Sequence, residues 1–193
     1  INVMYLKGLL YYCNKDYVRA VQVFTKFRKN YSTDKWYDDA TYWLGLSFYN
    51  LEQYKDAIKI LTTIKDKKSS AYYIMSNLYL ARCYKQLKEY DSAKVLLSKL
   101  LQQKDINEKI KTSILYELGE CYKLSGDYHM AIQYFGMLEN TSDELKIAGK
   151  ISIAEIYYQI GKIDEAKKRL EEILGMYKMS SGLLTKAKLM YAM

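Results

Sequence analysis

A small residue followed twelve positions later by alanine recurs five times in this chain, and no other feature constrains the fold as tightly. Gly8 pairs with Ala20, Gly45 with Ala57, Ala81 with Ala93, Gly119 with Ala131, and Ala154 with Ala166. The internal spacing is twelve in every case, while successive units start 37, 36, 38 and 35 residues apart. Insertions and deletions therefore fall between units and never inside one, which is what a rigid hairpin with variable connectors produces.

Other columns keep the same phase. Three residues after the small residue come Tyr11, Phe48, Tyr84, Tyr122 and Tyr157. Sixteen after it come Phe24, Leu61, Leu97, Phe135 and Leu170, and nineteen after it Phe27, Ile64, Leu100, Leu138 and Ile173. The column just before it holds Leu44, Leu80, Leu118 and Ile153, but Lys7 in the first unit. Spacings of three and four put these side chains on one face of a helix. Between the halves of each unit lies a short turn, where Gly126 and Gly161, and Asn14 at small cost, are suited to the left-handed conformation that ends a helix. Each unit reads as helix, tight turn, helix, with the small residue letting the alanine helix approach. No single hairpin buries its apolar face, so the units stack.

Composition agrees. Proline is absent and glycine occurs 9 times, too few turn residues for a sandwich or barrel of short strands. The expected class is all-α. The longest charge-free run, Ser69 to Ala81, has 13 residues, against about 20 for a membrane span. Three cysteines, at 13, 83 and 121, form neither a complete disulfide framework nor a zinc-ligand spacing.

The columns resemble the tetratricopeptide repeat, in five copies at about 2–35, 39–72, 75–108, 113–146 and 148–178. The proline that often closes such a repeat is missing; Ser32, Ser69, Asp105, Asp143 and Lys178 stand there, and Ser and Asp suit the cap of a following helix. Residues 179–193, with Leu183, Leu184, Ala187, Met190 and Tyr191 on one helix face, read as a capping helix or a truncated sixth repeat. The resemblance implies a right-handed superhelix of antiparallel helix pairs. The first two units, through Tyr42-Trp43-Leu44-Gly45, are also similar to bacterial envelope repeat proteins of the Tol-Pal and outer-membrane assembly type. That likeness implies a bacterial, periplasmic setting, whereas free cysteines point to a reducing cytoplasm.

Residues for catalysis do not assemble in the sequence. There is no phosphate-binding glycine loop. His129, the one histidine, has no nucleophile or orienting acid assigned beside it. Cys83 and Cys121 share a repeat column and read as small buried residues rather than reactive thiols. Glu117 and Glu120 lack further oxygen ligands for a metal. The expectation is a non-enzymatic protein with no cofactor and no metal.

What remains is a surface. The resemblance implies a concave groove lined by the first helices. It assigns to that groove Tyr5, Leu9 and Tyr12, then Tyr42, Leu46 and Tyr49, then Leu78, Arg82 and Lys85, then Tyr116, Glu120 and Lys123, and last Ile151, Glu155 and Tyr158. Tyr5, Tyr12, Tyr42, Tyr49 and Arg82 are expected to show exposed tips there. The competing reading makes these tyrosines repeat-packing residues, their number of 22 inflated by an AT-rich coding sequence. Tyrosine offers broad contact area and a hydroxyl at low entropy cost. The groove suits a peptide or protein segment with apolar anchors and acidic character. A carboxylate clamp for chaperone termini is not expected, because Tyr5, Leu9, Tyr42 and Leu46 stand at its places. The alternative is a helical-repeat RNA binder, suggested by a net charge of +8. Only 4 of the 30 cations are arginine, the residue that reads phosphate and stacks on bases.

Overall fold

The computed structural model describes residues 3–68, 70–103, 106–140 and 143–176, with Thr185. Among the described residues the chain is all-α, with ten α-helices in consecutive antiparallel pairs and one 3-10 turn, Met137–Asn140. The pairs are α1 (Val3–Cys13) with α2 (Tyr17–Asn30), α3 (Tyr37–Asn50) with α4 (Tyr54–Leu61), and α5 (Tyr73–Gln86) with α6 (Tyr90–Leu101). They continue with α7 (Glu108–Leu124) and α8 (Tyr128–Gly136), then α9 (Asp143–Gln159) and α10 (Ile163–Met176). The chain divides into two compact units, Ile1–Leu100 and Leu101–Met193. The segment 179–193 lies outside the described residues, but for Thr185. No described helix is long and apolar enough to cross a membrane.

One backbone motif closes all five hairpins. The seventh residue after each small residue has positive φ: Lys15 at 60°, Glu52 at 59°, Lys88 at 63°, Gly126 at 85° and Gly161 at 78°. Its N–H donates to the carbonyl three residues back, and the next N–H donates to the carbonyl five residues back. Lys15 donates to Tyr12 and Asp16 to Tyr11; Gly126 donates to Lys123 and Asp127 to Tyr122. Glu52, Lys88 and Gly161 repeat the pattern. This is the Schellman arrangement, which satisfies carbonyls at the helix end. It corrects the expectation for Asn14. The left-handed residue is Lys15, because the motif places it one position beyond the C-cap.

The residue after the left-handed one opens the next helix. The Asp16 carboxylate accepts from the Arg19 N–H at 3.1 Å, and the Asp127 carboxylate accepts from the Met130 N–H at 3.1 Å. In these two hairpins one position completes one helix and caps the next. In the other three the same position, Gln53, Glu89 and Lys162, accepts the N–H of the repeat alanine at its carbonyl, as Asp16 and Asp127 also do, and this shared backbone bond holds the spacing of twelve.

Ala20, Ala57, Ala93, Ala131 and Ala166 are all buried, as expected. The close contact of the small residue is nevertheless one turn further on. A Cβ on Gly8 would meet the Phe24 ring at 2.5 Å, and one on Gly119 the Phe135 ring at 2.6 Å. A Cβ on Gly45 would collide with Leu61. The glycines make room for the bulky residue sixteen on.

In the first unit, Tyr5, Ala20, Phe24, Phe27, Ala40 and Leu44 form one buried cluster, and Tyr42, Leu46, Leu61, Ile64 and Leu80 a second. First helices also touch one another, α1 with α3 and α3 with α5. The buried Asn77 amide donates to the Lys65 carbonyl at 2.7 Å and the Tyr73 carbonyl at 2.8 Å, tying α5 to the end of the second pair. In the second unit, α7 touches α9. Ile147, Ile151, Ala154, Leu170 and Ile173 form its distal cluster.

Candidate functional site: the first-helix faces

Each first helix presents one face to its hairpin partner and another to the side where first helices meet. On that second face in the first unit the aromatic rings are continuous. Tyr12 meets Trp43 edge-on with centroids 4.8 Å apart, and Trp43 meets Tyr42 at 5.2 Å. Tyr79 stands edge-on to both Tyr42, at 6.2 Å, and Tyr49, at 5.3 Å. The Arg82 guanidinium lies over Tyr79 at 4.9 Å. Asn50 donates to the Tyr12 hydroxyl at 3.2 Å. Edge-to-face pairs of this kind add stability beyond area burial and hold the rings in fixed orientations.

The residues expected to line a groove differ in burial. Leu9, Tyr12, Tyr49, Arg82 and Lys85 are half-buried. Tyr5 and Tyr42 are each only 5% exposed, and Leu46 and Leu78 are buried as well. The expectation of exposed tips is therefore wrong for Tyr5 and Tyr42, and the packing reading holds for both. The cause lies in the connectors. Trp36 stacks on Tyr5 with centroids 5.1 Å apart and planes 15° apart, and Tyr72 stacks on Tyr42 at 4.5 Å and 23°. Trp36 and Tyr72 both occupy the N-cap position of the following first helix, where neither side chain makes a capping hydrogen bond. Their rings act as lids instead. Both stand nine residues before a small residue, so their periodicity was visible in the sequence although it fell outside the columns.

Burial, then the nearby Asp39 charge, pushes the Tyr5 phenol up to about 12. Burial raises Tyr42 also, followed by the neighbouring Tyr79, Tyr12 and Tyr72 hydroxyls. The Trp36 and Trp43 indole nitrogens are buried without a hydrogen bond. The Tyr5 and Tyr72 hydroxyls lie near Trp43 Nε1 without reaching good geometry.

In the second unit the expected cation is neutralised. Lys123 Nζ lies 2.7 Å from Glu120 Oε1 and 2.9 Å from Glu155 Oε2, and Ser152 Oγ donates to Glu120 at 3.2 Å. Burial alone would lower the Lys123 pKa, but the combined pull of Glu120 and Glu155 outweighs it and the ammonium is held charged. Tyr116 is half-buried beside this cluster, its phenol pushed up to about 12 by burial and then by the Glu120 and Glu117 charges. Tyr158 is exposed, while Ile151 is buried in the core. Lys123 therefore joins two consecutive first helices; it is not a bare member of a basic track.

The residues weighed for chemistry sit apart. His129 is exposed. Cys83 and Cys121 are fully buried, and burial pushes the Cys83 thiol up to about 12, the reverse of what a reactive thiol needs. Among the described residues no three metal-binding side chains converge.

Comparison with known proteins reports on the same repeats. Residues 2–34 and 112–136 match tetratricopeptide repeat models, and residues 27–100 match the model described as anaphase-promoting complex, cyclosome, subunit 3. No curated protein sequence matches the chain. Among solved structures, a putative kinesin light chain with nearly identical TPR-like repeats from Podosopora anserina aligns at 17% identity with a TM-score of 0.74, over 91% of this chain and 96% of that one. The MamA protein aligns at 19% identity and TM-score 0.71, over 92% and 95%. A thermophilic TPR protein of Thermus thermophilus aligns at 18% and 0.67, over 98% of both chains. At such identities the likeness speaks for the fold alone. The repeat models over residues 2–34 and 112–136, the shared helix-pair architecture and the five recurring hairpin turns agree: the described residues have a tetratricopeptide-repeat-like fold.

Proposed function

We propose that the chain is a non-enzymatic scaffold that binds a peptide or partner segment on its first-helix face, the concave groove of this reading. Tetratricopeptide repeats generally serve as protein–protein interaction scaffolds. The observation that carries the finer reading is the ring series Tyr12, Trp43, Tyr42, Tyr79 and Tyr49, ending under Arg82. Its rim of Leu9, Tyr12, Tyr49, Arg82 and Lys85 is half-exposed, and Tyr5, Tyr42, Leu46 and Leu78 form a rigid floor. Preoriented aromatic side chains contribute contact area at low entropy cost. Arg82 and Lys85 favour an acidic segment with apolar anchors. Tyr116, Lys123 and Tyr158 supply a second, charge-balanced surface. The likeness carried by Tyr42-Trp43-Leu44-Gly45 attaches this activity to a bacterial envelope assembly. It bears on setting alone, because Tyr42, Leu44 and Gly45 are buried.

The test is fluorescence anisotropy with two labelled peptides that share Leu and Phe anchors and differ in flanking Glu or Lys, alongside a single-stranded RNA. The Glu peptide should bind, with moderate salt dependence, and Tyr12→Ser with Tyr49→Ser should abolish binding while leaving helical circular dichroism intact. RNA binding that weakens steeply with salt, with no peptide binding, would favour the nucleic-acid alternative.

A further inference from the structure

Two tyrosines on the first-helix face have the same surroundings. Four residues after the small residue stand Tyr12 on α1 and Tyr49 on α3, with Lys85 at the same place on α5. Tyr12 lies edge-on to Tyr17 of its own hairpin, centroids 5.4 Å apart, and to Trp43 of the next first helix at 4.8 Å. Tyr49 lies edge-on to Tyr54 of its own hairpin at 5.6 Å, and to Tyr79 of the next first helix at 5.3 Å. Tyr17 and Tyr54 share one repeat column, and Trp43 and Tyr79 another. Each of the two rings is held between two others, and each keeps an exposed part. The half-buried Lys85 continues the row on α5, where Arg82 lies over Tyr79.

The row has a period. α1 touches α3 and α3 touches α5, and packed helices lie about 8–10 Å apart. A ligand laid across them must present anchors at that interval on one side. A β-strand repeats its facing side chains at about 6.6 Å and next at about 13 Å. An α-helix brings positions i and i+7 to about 10.5 Å. A polyproline II segment turns once in three residues and rises about 3.1 Å per residue, so i and i+3 lie on one side about 9.3 Å apart. Of the three conformations, this one falls inside the interval. Its carbonyls make no internal hydrogen bonds. The Tyr12 hydroxyl accepts from Asn50 at 3.2 Å and has its own hydrogen to donate to such a carbonyl.

We infer that the first-helix face of the first unit binds a proline-containing, acidic segment of another protein in the polyproline II conformation. Two prolines three residues apart sit on Tyr12 and Tyr49, and an acidic residue three further along meets Lys85 and Arg82. The inference rests on the scaffold reading above and deepens it, naming the conformation and register of the bound segment. Proline rings pack against fixed aromatic side chains, and a segment that is already extended loses little entropy on docking. The two cations set which end of the segment lies at α5.

The experiment is fluorescence anisotropy on the full chain with labelled peptides. The in-register pair is Pro-Ala-Ala-Pro-Ala-Ala-Glu and its reverse. The control pair, Pro-Ala-Pro-Ala-Ala-Ala-Glu and its reverse, has the same composition with the prolines two apart. One in-register peptide should bind roughly tenfold more tightly than either control, the loss of one anchor from its ring. Tyr12→Leu and Tyr49→Leu should each erase that preference with helical circular dichroism unchanged, and Tyr49→Phe should keep it. Lys85→Glu should weaken the Glu peptide and strengthen the same peptide ending in Lys. The comparison of peptides on the unmodified chain needs no variant to fold. Equal binding of in-register and control peptides overturns the inference, as does a preference that survives both Tyr→Leu changes. Binding of the Glu-flanked Leu and Phe peptide, but of no proline peptide, overturns it and leaves the scaffold reading standing. Binding of no peptide at all overturns both.

Discussion

The Tyr72 ring lies almost parallel over that of Tyr42, centroids 4.5 Å apart, so a residue at the start of α5 seals a first-helix residue of the hairpin before it. Tyr72→Ala should expose the Tyr42 ring and cost about 2 kcal/mol, combining lost burial with a lost aromatic pair. Tyr42→Ala should cost more, about 3–5 kcal/mol, as for a buried aromatic side chain. Urea unfolding monitored by circular dichroism measures both. A smaller loss for Tyr42→Ala than for Tyr72→Ala would contradict the order of burial.

Gly45→Ala should destabilise by about 1–3 kcal/mol through overpacking, because its new methyl would collide with Leu61. Adding Leu61→Ala to it should cost less than the sum of the two single changes, since the second removes the obstacle. Strict additivity in a double-mutant cycle would show that the glycine does not make room for Leu61.

Lys88→Gly should stabilise the protein by about 0.5–1 kcal/mol, the left-handed penalty of a side chain less the added freedom of glycine. Lys88 has φ 63°, and Gly126 and Gly161 already occupy the same turn position. The melting temperature should rise. A fall would mean that the Lys88 side chain makes contacts worth more than the strain.

Alkaline unfolding follows from the buried phenols. Tyr5 and Tyr116 are pushed up to about 12 when folded, against about 10 for a free tyrosine. The folded state holds its protons more tightly, so the stabilisation is complete below about pH 10 and is lost as pH rises from about 10 toward 12. Tyrosine absorbance titration should show an early exposed class, and a late class whose ionisation coincides with loss of helical circular dichroism. A single titration near pH 10 with the helices intact would contradict the burial.

The fold was legible because the repeat columns are local: the alanine column and the bulky residues four and seven after it predict burial without knowledge of any partner. The turn was half-legible. Gly126 and Gly161 announce a left-handed position, but Lys15, Glu52 and Lys88 adopt it with no compositional sign, held by the hydrogen bonds around them. The site was least legible. Tyr5 and Tyr42 have the column positions of groove residues, and their burial comes from Trp36 and Tyr72, supplied by connectors of variable length. Lys123 shows as a cation in sequence, while its neutralisation by Glu155 depends on how α9 settles beside α7.

The shared residue at each hairpin turn, ending one helix and starting the next, has a consequence for how such a chain tolerates change. Adding one residue inside a hairpin would rotate the second helix by about 100° and break both caps together. Adding one between hairpins leaves every turn intact and moves a whole helix pair as a cassette. Repeats of this protein should therefore be exchangeable, duplicable and removable at their connectors. The aromatic lids are an element that such recombination must carry across the junction, because Trp36 and Tyr72 serve the hairpin they follow and not the one they begin.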